Sequence, residues 1–117
     1  MRLSDSELKV MDALWRSGAL SAKELAEQLS IQVGWNKNTT YTLIKRLVDK
    51  GAIERAEPGF VCRPLADRAE VERAQAGELV DKLFGGSATR LFAALVDERP
   101  LPPEEVDALR RMIDEMR

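Results

Sequence analysis

The chain has 117 residues and a formal net charge of −2, with 44% hydrophobic and 32% charged residues, which fits one folded domain or two small ones and is too apolar for a disordered chain. It contains no histidine and a single cysteine, Cys62, so histidine-based catalysis, His- or Cys-rich metal sites and an internal disulfide are excluded. No Gly-rich phosphate loop is present, and we expect no enzyme activity, no catalytic residues, no metal and no cofactor.

Two features indicate where the protein is located. The longest apolar run, residues 91–96, is far shorter than the roughly 20 residues of a membrane-spanning helix. The N-terminal residues turn polar at once, so we expect no secretory signal. The sequence therefore predicts a cytoplasmic protein without membrane insertion.

Two helices are predicted in the first 30 residues, each from the same start signal. Ser4 with Glu7 and Ser21 with Glu24 have the Ser-x-x-Glu spacing of a capping box. Apolar residues then recur at helical spacing, and Gly18 is expected to end the first helix. The expected buried residues are Leu8, Met11, Leu14 and Trp15 in the first helix and Leu25, Ala26 and Leu29 in the second.

A third helix is predicted from a cap at Asn36 or Asn38 to about Lys50, with Gly51 in the left-handed position that follows. Steps of 100° per residue divide it into two faces. The face expected to be buried holds Thr40, Leu43, Ile44 and Leu47. The opposite, polar face holds Asn38, Tyr41, Thr42, Lys45, Arg46 and Asp49.

The periodicity then changes to that of strands. Residues 52–56 and 60–63 are predicted to pair as a hairpin, with Pro58 and Gly59 at the centre of a type II turn. Three helices followed by a hairpin outline a winged helix-turn-helix. The fold class is therefore mainly α with a small β-hairpin, and residues 1–66 form the predicted winged-helix DNA-binding domain.

Residues 67–117 are predicted to form a helical dimerisation domain. Asp67 and Ser87 are expected to cap two helices, and Pro103 to begin a third. About 50 helical residues rarely form a stable core alone, so their apolar stripes need a partner. We expect a second copy of the chain; an intramolecular helical cap is the alternative. The residues expected at the dimer seam are Val71, Leu79, Leu83, Leu91, Leu95, Val106, Leu109, Ile113 and Met116.

The third helix is the candidate DNA-reading element. Residues 1–66 carry ten Lys and Arg against eight Asp and Glu, and residues 35–55 alone carry five against two. A basic region with short and long polar side chains suits a helix in the major groove. The alternative is a solvated helix face with pairs such as Lys45 and Asp49. The candidate DNA contacts are Lys37, Asn38, Thr39, Tyr41, Thr42, Lys45, Arg46 and Lys50, joined by Arg55 and Arg63 in the wing.

The sequence resembles the penicillinase-repressor family, the BlaI/MecI group and its CopY relatives. The specific part is WNKNTTYTLIKRL at residues 35–47; the start LSDSE at residues 3–7 and the pair Leu14-Trp15 also match. The resemblance implies a homodimeric repressor that binds double-stranded, palindromic operator DNA. It gives the DNA-contact role to Lys37, Thr39, Thr42 and Arg46, and to a wing around Gly59 and Arg63.

Two departures from the family bear on regulation. Members that respond to β-lactams are cleaved at an Asn-Phe bond by a membrane sensor-protease, and Ala94-Leu95 stands at that place here. Cleavage at that bond is therefore doubtful, and with it the sensor-protease as a partner and a role in an antibiotic response. Copper-responsive relatives carry a Cys-x-Cys pair, which this chain lacks.

The alternative function is that of a winged-helix adaptor that binds protein without DNA.

Overall fold

Six helices and three short strands follow one another along residues 1–117, all of which the computed structural model describes. In chain order they are α1 (Asp5–Ser17), β1 (Leu20–Ser21), α2 (Ala22–Val33), α3 (Lys37–Asp49), β2 (Ile53–Ala56), β3 (Val61–Pro64), α4 (Arg68–Leu83), α5 (Ala88–Glu98) and α6 (Pro103–Glu115). Two compact units, residues 1–75 and 76–117, divide the chain within α4. The predicted boundary of the functional domains after residue 66 stays a prediction.

Side-chain caps fix where the first two helices begin. The side chains of Ser4 and Ser21 each accept a hydrogen bond from the backbone N–H three residues on, and the carboxylates of Glu7 and Glu24 accept one from the backbone N–H of the capping serine. Both predicted capping boxes are confirmed, and α1 ends at Gly18 as expected. Hydrogen bonds to the free N–H groups of the first turn fix where each helix begins and therefore which face it buries.

The core of residues 1–75 is built from the predicted apolar stripes. Thr40, Leu43, Ile44 and Leu47 are buried, which confirms the inner face assigned to α3. Trp15 and Trp35 are half-buried against this core, and the indole Nε1–H of Trp15 donates to the carbonyl of Ala66 at 2.9 Å. The larger side chains of the remaining core are those of Leu3, Val10, Met11, Leu14, Leu25, Leu29, Ile53, Cys62 and Val71.

The sheet has three antiparallel strands in the order β1-β3-β2, one more than the predicted hairpin. In β1, Leu20 pairs with Cys62 and Ser21 with Val61. Two residues carry no detectable alternation, which is why the sequence did not predict this strand. Together with α1–α3 the sheet confirms the winged-helix fold class, since the hairpin of β2 and β3 forms the wing.

Residues 76–117 hold the end of α4 and all of α5 and α6. The predicted cap at Ser87 is confirmed, since its hydroxyl accepts from the N–H of Arg90. Pro103 is the first residue of α6, as predicted, and Pro102 precedes it without a side-chain cap. Neither α5 nor α6 buries a residue, although both are amphipathic. None of the six helices combines the length and apolarity needed to cross a membrane.

Candidate nucleic-acid interface

The start of α3 is fixed by a side-chain cap. Asn36 Oδ1 accepts from the N–H of Thr39 at 2.9 Å and from its hydroxyl at 3.2 Å. Of the two predicted caps, Asn36 is therefore the one used. Because the opposite face of α3 packs into the core, the orientation of its outward face is fixed relative to the rest of the winged helix.

The outward face of α3 carries six exposed polar residues without negative charge, and the exposed acidic residue Asp49 lies at the end of the helix; the six are Lys37, Asn38, Thr39, Thr42, Lys45 and Arg46. The hydroxyl of Thr42 donates to the carbonyl of Asn38 at 2.9 Å, so its oxygen is left to accept a further hydrogen bond. Neither Lys37, Lys45 nor Arg46 forms an ion pair. The alternative of a face neutralised by internal pairs, such as Lys45 with Asp49, is thus not what the structure contains.

Tyr41 differs from its sequence-based prediction. It was expected to point away from the core, yet it is half-buried and packs against the core cluster. Its ring centroid lies 6.2 Å from that of Phe60 in the wing, at an interplanar angle of 48°. The ring thus joins α3 to the hairpin, and only the remaining exposed part of the side chain is available to DNA.

Lys50 is also engaged within the protein. Its ammonium lies 2.7 Å from Glu7 Oε1 and 3.1 Å from the carbonyl of Arg2. Burial raises the pKa of Glu7, but hydrogen bonds from Lys50 and Ser4 outweigh it and hold that pKa below its ordinary value. The phosphate contact predicted for Lys50 would compete with this ion pair, in which Glu7 is buried and Lys50 remains partly exposed.

Of the two arginines in the wing, one is paired within the protein and the other is not. Arg55 forms an ion pair with Glu57 at 2.9 Å, and its guanidinium carbon lies 3.7 Å from the centroid of the Phe60 ring. A backbone hydrogen bond from Phe60, and then one from Arg55, lower the pKa of the Glu57 carboxyl. Arg63 is exposed and forms no ion pair. Of the two, Arg63 is the cation that an anion reaches without displacing a partner.

Phe60 is the residue of this surface that sequence reasoning missed. It was assigned only to a strand, whereas it precedes β3 with φ at +47°, in the left-handed region. Its N–H donates to Glu57 Oε2 at 3.1 Å, and its ring contacts both Arg55 and Tyr41. Apolar alternation gave no signal for a positive φ, because the hairpin turn determines that conformation.

The predicted seam residues separate into three groups by their exposure. Val71 is buried in the core of residues 1–75, so its side chain offers little area to a second copy. Leu91, Val106 and Leu109 are half-buried. Among the exposed large apolar residues are Leu79, Leu83, Leu95, Ile113 and Met116, joined by Phe92, Val96 and Met112, which the prediction did not include.

Comparison with known proteins gives consistent matches. The family model described as Penicillinase repressor matches residues 3–115. The Penicillinase repressor of Bacillus licheniformis is 25% identical over 97% of this chain and 91% of its own. The Methicillin resistance regulatory protein MecI of Staphylococcus aureus (strain N315) is 26% identical over 96% of this chain and 93% of its own. The solution structure of monomeric Bacillus licheniformis BlaI in complex with the blaP half-operator has a TM-score of 0.54 and 32% identity, covering 60% of this chain and 88% of that one.

Proposed function

The chain belongs to the penicillinase repressor family, whose members are transcriptional repressors and not enzymes, and on this basis we propose that it binds a palindromic operator as a homodimer and represses transcription from it. The N-terminal winged helix reads each half of the operator. The C-terminal helices join the two copies. The operator and the second copy are its partners.

The outward face of α3 is the observation that carries the DNA-binding role. Six exposed polar residues without negative charge lie opposite a buried stripe, and the three cations among them have no internal partner. Such cations release counterions when they neutralise phosphates, which gives a large favourable term at low salt. The amide of Asn38 and the hydroxyl of Thr42 have the donor and acceptor groups that discriminate base edges.

A dimer is supported by the exposed apolar residues of α5 and α6. A contiguous apolar patch exposed on a protein surface marks an interaction site. Val106, Leu109 and Ile113 in α6 and Met116 directly after it follow a 3-4-3 spacing, which places them along one stripe. Ile113 and Met116 are exposed, and Val106 and Leu109 are half-buried. A stripe of this kind fits the same stripe of a second copy, related by a two-fold axis.

The inducing signal is a finer part of the proposal. The names of the relatives associate them with penicillinase and methicillin resistance, which supports a role in a β-lactam response. However, Ala94-Leu95 in α5 differs from the Asn-Phe bond that the family resemblance implies. We therefore expect that release from DNA does not proceed by cleavage of this bond. Incubation of cells with a β-lactam, followed by mass measurement of the protein, tests this expectation.

Selection of bound duplexes from a random-sequence pool tests the proposed function. We expect enriched inverted repeats whose half-site centres lie one helical turn apart or a multiple of it, about 10 bp per turn. Enrichment of single, unrepeated half-sites would contradict the dimeric mode. No enrichment at low salt would remove the DNA-binding role and favour the adaptor that binds protein.

A further inference from the structure

A groove of about 620 Å³ runs between the first turn of α1 and the outward face of α3. One wall contains Ser4 and Ser6, which the sequence analysis did not associate with DNA. The other wall includes Asn38, Thr42 and Arg46. The candidate DNA-reading face therefore has a border on the α1 side, built by residues about 30 to 40 positions earlier in the chain.

The groove walls supply hydrogen-bond donors and one cation, with no acidic side chain among them. The hydroxyl of Ser6 makes no hydrogen bond within the protein, and the guanidinium of Arg46 has no ion-pair partner. The acidic neighbour of Ser6, Asp5, does not line the groove. A concave strip with free donors and an unpaired cation is complementary to an anionic, extended ligand.

We propose that this groove holds the sugar–phosphate backbone of one DNA strand, with Ser6 donating to a phosphate oxygen and Arg46 pairing with the same stretch of backbone. The inference rests on the proposed DNA-binding function and adds the first turn of α1 to the interface. A helix in the major groove is bordered by the two backbones of the duplex, and the groove lies where one of them passes beside α3. The contact to Ser6 positions the protein without reading sequence.

The test replaces Ser6 by aspartate in the full chain. An added carboxylate repels a phosphate in the groove, and removal of the hydroxyl donor costs a charge-assisted hydrogen bond. We expect Ser6→Asp to weaken binding roughly tenfold. Since an acidic residue in the first turn of a helix is favourable to the helix, the melting temperature should not fall. A loss of binding is then separated from a loss of folding.

The matched control is Ser17→Asp at the other end of α1. It makes the same change of charge about 16 Å away along the helix, which exceeds the Debye length of about 8 Å at physiological salt. Both variants and the parent protein are titrated with two 30-bp probes, one recovered from the random pool and one of unrelated sequence. Ser17→Asp should bind both probes like the parent protein.

The two probes distinguish the possible roles of Ser6. An equal loss on both probes for Ser6→Asp alone supports a phosphate contact. A loss of affinity confined to the recovered probe would indicate a base contact and overturn the proposal. Parent-like binding of Ser6→Asp, or an equal loss of affinity for Ser6→Asp and Ser17→Asp, would overturn it as well. If the parent protein binds neither probe, the proposed function fails and the groove proposal fails with it.

Discussion

The side-chain nitrogen of Lys50 lies 2.7 Å from Glu7 Oε1 and joins the residue that caps the end of α3 to the first turn of α1. Glu7 is only 3% exposed, and its Oε2 has no hydrogen-bond partner. The same Glu7 side chain closes the capping box with Ser4. One carboxylate thus fixes both the start of α1 and its position beside the end of the candidate DNA-reading helix.

Replacement of Lys50 by methionine should destabilise the protein. The change leaves the Glu7 carboxylate buried without its cation, which we expect to lower the free energy of unfolding by about 2 kcal/mol at neutral pH. Thermal or denaturant unfolding measures the effect. Arg16→Met is the control, because Arg16 forms an exposed pair with Asp12, and its loss should cost under about 0.5 kcal/mol. Equal losses for the two variants would contradict the role of the buried pair.

The same ion pair makes stability depend on pH. Because the folded protein holds the pKa of Glu7 below its ordinary value of 4.5, the contribution of its carboxylate is complete above that value and is lost as the pH falls through the folded pKa. The stability gap between the parent protein and Lys50→Met should therefore be largest near neutral pH and narrow on acidification. A gap that widens in acid would contradict this assignment.

Substitutions at Tyr41 should separate packing from DNA contact. Tyr41→Ala removes a half-buried ring that contacts Phe60, and we expect it to lower the free energy of unfolding by about 1–2 kcal/mol. Tyr41→Phe keeps the ring and should melt like the parent protein. The hydroxyl has no hydrogen-bond partner in the protein, so its loss should weaken DNA binding several-fold in a mobility-shift titration. Unchanged melting of Tyr41→Ala would show that the ring does not join α3 to the wing.

A charge in the apolar stripe of α6 should separate the two copies. Leu109→Asp places a carboxylate among Val106, Ile113 and Met116, and burial of this charge against a second copy is unfavourable. Light scattering should give the mass of a monomer. The control, Arg111→Asp, introduces the same residue outside the stripe and should remain dimeric. A dimeric Leu109→Asp variant would exclude this seam.

Regular periodicity explains how much of the fold could be predicted. The inner face of α3 and the caps at Ser4, Ser21 and Ser87 follow from local spacing, since helix geometry and capping depend on residues three or four apart. The two-residue strand β1 was missed because it forms only when β3 is present to pair with it. The positive φ of Phe60 was likewise missed, because it belongs to the geometry of the turn.

The location of the candidate site could be predicted from the sequence, but much of its chemistry could not. The polar face of α3 was evident from the sequence, but which cations of the site remain unpaired depends on tertiary contacts and on the geometry of the hairpin turn. Lys50 meets Glu7 across 43 residues, and Arg55 meets Glu57 and Phe60 only because of the hairpin turn. Local spacing did not mark Ser6 as a DNA contact, since its place beside α3 results from the packing of α1.

The most direct test of the account is the affinity of Arg46→Ala for a duplex recovered from the random pool. Arg46 is exposed, unpaired and outside the core, so its removal should leave the melting temperature unchanged. We expect Arg46→Ala to lose affinity tenfold or more, about 1.4 kcal/mol, and Arg111→Ala in α6 to bind like the parent protein. Parent-like affinity of Arg46→Ala would contradict the claim that the outward face of α3 contacts DNA.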